Sequence, residues 1–135
     1  MLQPKLLVKV LALLNENQID YMITGSFVSS IQGEPRATHD ADLLDEPFDQ
    51  SRFARKYEEK ILGFSMKISA PEDTILMKLR WAKLSGGSEK QFTDALRVYE
   101  VQYQNLDLNY MEAWSQTLQI KELWKKLKQQ AQPIT

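Results

Sequence analysis

With 135 residues, 43% of them hydrophobic and 26% charged, the chain has the make-up of one ordinary globular domain with a single modest core. A formal net charge of −1 argues against a dedicated nucleic-acid-coating protein, whose affinity comes from many Lys and Arg contacts to phosphate, although a local basic patch is compatible with it. Zero cysteines exclude disulfides, thiolate zinc sites and cysteine nucleophiles together, and fit a reducing compartment.

Residues 4–17 place Leu6, Leu7, Val10, Leu11, Leu13 and Leu14 on a helical apolar face, with Lys5, Lys9 and Glu16 opposite. The apolar run is broken by Lys9 and lacks a small-residue cleavage site, so the expectation is an amphipathic helix of a cytoplasmic protein rather than a signal peptide. No run in the sequence approaches the roughly 18 apolar residues of a membrane span.

Tyr21 to Thr24 reads as a short buried strand ended by Gly25, and Ser26 as the N-cap of a helix over about Phe27 to Gln32 that Gly33 stops. After the turn at Pro35, Thr38 to Leu44 reads as a second strand, with Asp40 and Asp42 on one face and Ala41 and Leu43 on the other. A charged helix from about Gln50 to Lys60 is expected next, with Phe53 and Tyr57 as its packing edge.

Phe64 to Ile68 alternates like a half-buried strand. Pro71, Glu72 and Asp73 then open a helix to about Leu84, with Ser69 and Glu72 at capping-box spacing and Gly86-Gly87 as its end. Helices over about Glu89 to Tyr103, Leu108 to Leu118 and Lys121 to Ala131 complete the chain. The expected class is α/β (α+β): a small mixed three-stranded sheet backed by helices, with a helical C-terminal half. One domain spans 1–135, its sheet-containing part about 1–70 and its helical part about 71–135.

Two features carry chemistry. Alternate residues of a strand share a face, so Asp40 and Asp42 could share one magnesium ion, which prefers hard oxygen ligands, or bridge two. A D-x-D is also how a solvated edge strand looks. Gly25 permits close backbone approach, and a following helix N-terminus offers N–H groups to a phosphate, with the Ser26 hydroxyl as one more donor. Standing alone, the same Gly-Ser is an ordinary strand-to-helix turn.

The run Tyr21-Met-Ile-Thr-Gly-Ser-Phe, followed by Gly33-Glu-Pro-Arg-Ala-Thr-His-Asp-Ala-Asp-Leu, resembles the nucleotidyltransferase superfamily of the polymerase-beta type. It looks most like the small prokaryotic proteins of that superfamily related to the nucleotidyltransferase toxins of abortive-infection systems. Gly33-Glu-Pro35-Arg36-Ala-Thr38 matches a finer mark of that branch. A second block, Ala70-Pro71-Glu72-Asp73 through Lys78 to Trp81 and then Gln91-Phe-Thr-Asp94, resembles the family's later helix bearing a lysine and the next helix bearing an aspartate.

The resemblance implies a minimal nucleotidyltransferase-like fold. Gly25 and Ser26 would hold a nucleoside triphosphate, Asp40 and Asp42 its magnesium, and Lys78 and Asp94 would sit near the site from the helical half. Arg36 would reach a phosphate or tie down its turn. Lys78 would offset phosphate charge, or its stem would cover apolar surface with the ammonium in water. Asp94 would orient Lys78 or face water.

One departure accompanies the resemblance. Family members usually carry several tens of residues after the Asp-x-Asp strand, including a strand that supplies a third carboxylate. Here only Leu43 to Ala70 intervene before Pro71, and the sequence from Asp42 to Phe53 looks like what normally follows that third-carboxylate strand. The simplest reading is an internal deletion that fused two Asp strands into one, leaving Asp45, Asp49, Glu72 or Asp73 as stand-ins.

Two functions are therefore expected side by side. One is a magnesium-dependent transfer of a nucleoside monophosphate to an acceptor, protein or RNA. The other is a catalytically degenerate relative that binds nucleotide or protein, as one half of a toxin–antitoxin-type pair. Reduced sheet size also leaves apolar surface for a homodimer or a partner protein to cover. His39 is expected to point away from the Asp pair by alternation, Trp81, Trp114 and Trp124 to pack in the core, and the Lys121, Lys125, Lys126, Lys128 run to form a solvated helix face.

Overall fold

The computed structural model describes residues 4–25, 28, 32, 47–61 and 63–134. In chain order these form α1 (Pro4–Glu16), α2 (Pro47–Ala54), β1 (Tyr57–Ile61), β2 (Phe64–Ile68), α3 (Pro71–Leu84), α4 (Glu89–Gln102), a 3-10 turn (Tyr103–Asn105), α5 (Leu108–Thr117) and α6 (Lys121–Gln130). The architecture is mixed and rich in helix, with a two-stranded antiparallel sheet.

Among the described residues the sheet has two strands. β1 and β2 form a hairpin in the register Tyr57 opposite Ile68, Glu59 opposite Met66 and Ile61 opposite Phe64. Gly63, at φ +83°, takes the left-handed conformation that so tight a reversal requires. The Tyr21–Thr24 segment contributes one parallel bridge rather than a strand. Ile23 N–H donates to Lys67 O at 2.8 Å and Ser69 N–H donates to Ile23 O at 2.9 Å, along the edge of β2 away from β1. The strand expected over 38–44 lies outside the described residues. Of the short helix expected after Ser26, Val28 and Gln32 are described, and both are helical.

The helix expected from Gln50 to Lys60 is corrected. α2 begins three residues earlier, at Pro47, and ends at Ala54, and Tyr57–Ile61 is a strand. Helical periodicity in this charged stretch is overruled by tertiary pairing, which lets Tyr57 and Ile61 face Ile68 and Phe64 across the hairpin. Glu58, Glu59 and Lys60 are left exposed on this strand, charges of the kind that discourage edge-to-edge pairing.

The capping box expected of Ser69 and Glu72 is also absent. Ala70 is the N-cap of α3, and its methyl side chain can make no cap bond; Pro71 in the first turn leaves one fewer orphan N–H to satisfy. Glu72 is drawn elsewhere, accepting the Asp107 N–H at 2.9 Å. The far end of α3 follows expectation: Gly86 and Gly87, at φ +77° and +89°, reverse the chain in a conformation strained for any side chain. Ser88 then caps α4 by accepting the Gln91 N–H, and Asp107 caps α5 by accepting the Tyr110 N–H at 3.1 Å.

Two apolar clusters result. The larger joins the C-terminal helices: Ile75, Leu76 and Leu79 of α3, Ala95, Val98 and Tyr99 of α4, Met111 of α5, and Trp124 and Leu127 of α6. Phe48 of α2 enters it and meets the Trp114 ring at 5.1 Å, while Tyr99 meets Trp124 edge-on at 5.8 Å. The smaller cluster lays Leu7 and Leu11 of α1 on Met66 and Ile68 of β2, with Val28 fully buried among them.

Trp81 departs from its expected place in the core. It is 44% exposed, because the core-facing stripe of α3 runs through Ile75, Leu79 and Ala82. The lysine run on α6 is solvated as expected, with Lys126 above the Phe92 ring and Lys128 paired to Glu112 at 3.2 Å.

Candidate functional site

Of the residues singled out for chemistry, Gly25, Lys78 and Asp94 are described; Ser26, Arg36, Asp40 and Asp42 lie outside the described residues, as do His39 and Asp45. Gly25 has φ +79°, two residues after the Ile23 bridge. A turn of that hand lets backbone be approached closely, since no Cβ stands in the way. The residue before it, Thr24, accepts a hydrogen bond at 3.0 Å from Nη1 of Arg52, a fully buried arginine on α2.

Arg52 is a feature that sequence reasoning missed. Its Nε donates to Asp49 Oδ1 at 2.9 Å, one helical turn earlier, and its Nη2 approaches the same oxygen at 2.9 Å. The signal was the i,i+3 pair Asp49/Arg52 behind Pro47-Phe48. A helix register begun at Gln50 leaves Asp49 outside the helix and hides that pair.

Lys78 and Asp94 are brought together. Lys78 Nζ donates to Asp94 Oδ2 at 3.2 Å, joining α3 to α4, and the two side chains are only 4% and 3% exposed. The alternative of a lysine whose ammonium reaches water is thereby removed. A buried ammonium needs a compensating anion, because the cost of desolvating each charge is several kcal/mol by order of magnitude. Asp94 supplies it and fixes the direction of the Lys78 head group.

The remaining described stand-ins for a third carboxylate are also committed. Arg55, just past α2, reaches Glu72 Oε1 with Nη2 at 3.2 Å and Asp73 Oδ2 with Nε at 3.2 Å. The Tyr110 hydroxyl donates to the other oxygen of Asp73, and the Arg55 guanidinium lies over the Tyr110 ring at 3.8 Å. Ser51 completes the cluster at 3.1 Å from the Tyr110 hydroxyl.

Burial pushes the Asp73 carboxyl above its ordinary value, against the Tyr110 hydrogen bond and the charge of Arg55. Burial works against the charge of Arg55 too, but Asp73, Tyr110 and Glu72 outweigh it and hold the guanidinium more firmly protonated. Tyr110 is pushed up by burial and by its bond to Asp73, so it stays a neutral donor. These charges stitch α3 to the end of α2 and the start of α5.

Asp49, Glu72 and Asp73 are thus each held by an arginine, and among the described residues no group of three acidic or histidine side chains is arranged to hold a metal ion. The donor chemistry of Asp40 and Asp42, oxygen only, is that of a hard divalent cation such as magnesium. No family model, no curated protein sequence and no solved structure matches the chain.

Proposed function

We propose that this chain is a nucleotidyltransferase of the polymerase-beta type, reduced in size, which binds a nucleoside triphosphate and transfers its nucleoside monophosphate to a protein or RNA acceptor. The observation that supports the reading is the Gly25 turn: a left-handed glycine two residues beyond the Ile23 bridge to the sheet, followed in the sequence by Ser26. In this reading the Gly25 backbone and the Ser26 hydroxyl hold the triphosphate, and Asp40 and Asp42 hold magnesium. When bound, that ion neutralises phosphate charge. Lys78, oriented by Asp94, contributes positive potential from the helical half, and Arg36 reaches a phosphate.

A second reading is favoured by the commitment of Asp49, Glu72 and Asp73 to Arg52 and Arg55. A chain that spends these carboxylates on structure lacks them as a third metal ligand. It would serve as a nucleotide-binding or protein-binding module, one half of a toxin–antitoxin-type pair.

Titration with ATP and GTP, with and without magnesium, on the wild type and on Asp40→Asn/Asp42→Asn separates the two. The enzyme reading expects magnesium-dependent binding that the double substitution abolishes, together with transfer of label from the α-phosphate to an acceptor. Binding without transfer supports the module. If neither nucleotide binds, or the substituted protein binds equally well, the metal-site reading falls.

A further inference from the structure

α1 is apolar on two sides, and the sheet uses one of them. Leu7 and Leu11 are buried against β2, whereas Leu6, Val10 and Leu13 are 50%, 37% and 59% exposed. Spaced i, i+4, i+7, these three form a straight stripe about 10 Å long on the outer surface of the helix.

The charges beside that stripe have an unusual order. At 100° per residue, Lys5, Lys9 and Glu16 all fall on the same flank of it, the lysines toward the N-terminus and the glutamate in the last turn. No acid occupies the first turn and no base the last, so this order opposes the helix dipole. Within one chain the arrangement is unfavourable. Between two antiparallel copies it is complementary.

We propose that the outer face of α1 is a self-association surface on which a second copy of this chain docks in antiparallel, two-fold register. With the axis passing close to Val10, Val10 meets the partner's Val10, Leu6 meets the partner's Leu13, and Lys5 meets the partner's Glu16, while Lys9 adds positive charge on the same flank, more than one turn from that carboxylate. Residue numbers facing each other then sum to 19–21 throughout, so a single register satisfies the apolar and the charged contacts together. Same-flank residues face one another only in the antiparallel arrangement; a parallel pair would turn this charged flank toward the partner's other flank and leave the lysines and the glutamate without each other. Opposed helices also offset each other's dipoles. An isologous contact of this kind closes at two copies.

A stripe of three side chains buries well under the ~800 Å² per partner of a standard interface, so the dimer belongs to the weak, concentration-dependent class. Sedimentation velocity between ~1 µM and ~1 mM is the direct test, a range that covers weak association. The apparent mass should rise from the 15.7 kDa of one chain toward twice that value. Leu6→Gln/Leu13→Gln should remain monomeric at every concentration, with circular dichroism confirming the fold.

Lys5→Glu/Lys9→Glu and Glu16→Lys should each weaken association by about tenfold, two symmetry-related attractions having become repulsions. Mixed in equal amounts, these two charge variants should associate again, because each restores the other's complement. Monomer throughout, a dimer that survives the leucine substitutions, or charge variants that associate no better mixed than alone would each overturn the proposal.

Discussion

Replacing Arg55 by alanine removes the cation that Asp73 and Glu72 share, and the structure sets the size of the loss. Asp73 is fully buried and Glu72 nearly so, while the Arg55 side chain is 31% exposed. Breaking a fully buried pair from one side costs ~3–5 kcal/mol, and the partial access of the guanidinium to water reduces this to about 2–3 kcal/mol. With a urea slope of about 2 kcal/mol/M, the midpoint should fall by roughly 1–1.5 M.

The pH dependence gives a second, independent signature. The Asp73 carboxyl is already raised above 3.8 by burial, and the opposing charge of Arg55 limits the rise. Without Arg55 it rises further. A carboxyl raised in the folded state contributes stability below its unfolded value and loses it as pH climbs through the folded value. The deficit of Arg55→Ala should therefore be largest near neutral pH and shrink on acidification, as Asp73 takes up its proton. Urea melts at several pH values read both effects. A deficit below about 0.5 kcal/mol, the ordinary scatter of surface substitutions, or one that grows on acidification, would refute the account of this cluster.

Asp94→Ala should destabilise by about 3–5 kcal/mol by leaving the buried Lys78 ammonium without this carboxylate, whereas Lys78→Met/Asp94→Leu should stay within about 2 kcal/mol of wild type in the same melts. Asp20 is held down to about 2 by hydrogen bonds from Lys67 and Lys56. A depressed carboxyl stabilises above its unfolded value and loses that contribution as pH falls through the folded one. The stability difference between wild type and Asp20→Asn should therefore vanish between pH 3.8 and about 2, as followed by acid titration of the far-ultraviolet signal. Leu79→Ala, emptying a position with no exposed surface in the helical core, should cost about 2–5 kcal/mol in thermal or urea unfolding.

The helical half was legible because local signals and tertiary demands agree there. Pro71 at a helix start and Gly86-Gly87 at its end mark the boundaries the structure has, and the structure's caps Ser88 and Asp107 stand just before the expected helix starts at Glu89 and Leu108. The stretch from Pro47 to Ile61 was misread because its charges suit a helix surface and an edge strand equally, and the pairing of Tyr57 with Ile68 decides between them. The Ser69/Glu72 capping box failed for a related reason. A local spacing rule cannot see that Arg55 and the Asp107 N–H compete for the Glu72 carboxylate from far along the chain. The Lys78–Asp94 partnership was suggested by the resemblance and not by any local pattern, and its burial depends on how α3 and α4 pack.

The same competition for carboxylates bears on catalysis. A third metal ligand taken from Asp49 would deprive the buried Arg52 of that partner, and one taken from Glu72 or Asp73 would open the cluster that ties α3 to α2 and α5. Either exchange costs several kcal/mol before any metal contact is gained, which is comparable with the whole margin by which a domain of this size is stable. Asp49, Glu72 and Asp73 are therefore structural in the resting fold. On the proposed reading, Asp40 and Asp42 would bind the metal as a pair, with phosphate oxygens and water filling the remaining positions, or would recruit Asp45 from the same stretch of chain. A pair of carboxylates is enough to hold a magnesium–nucleotide complex. Activating an acceptor hydroxyl asks for a further base or a second ion. On the proposed reading, nucleotide binding would therefore make a smaller demand on this chain's residues than nucleotidyl transfer.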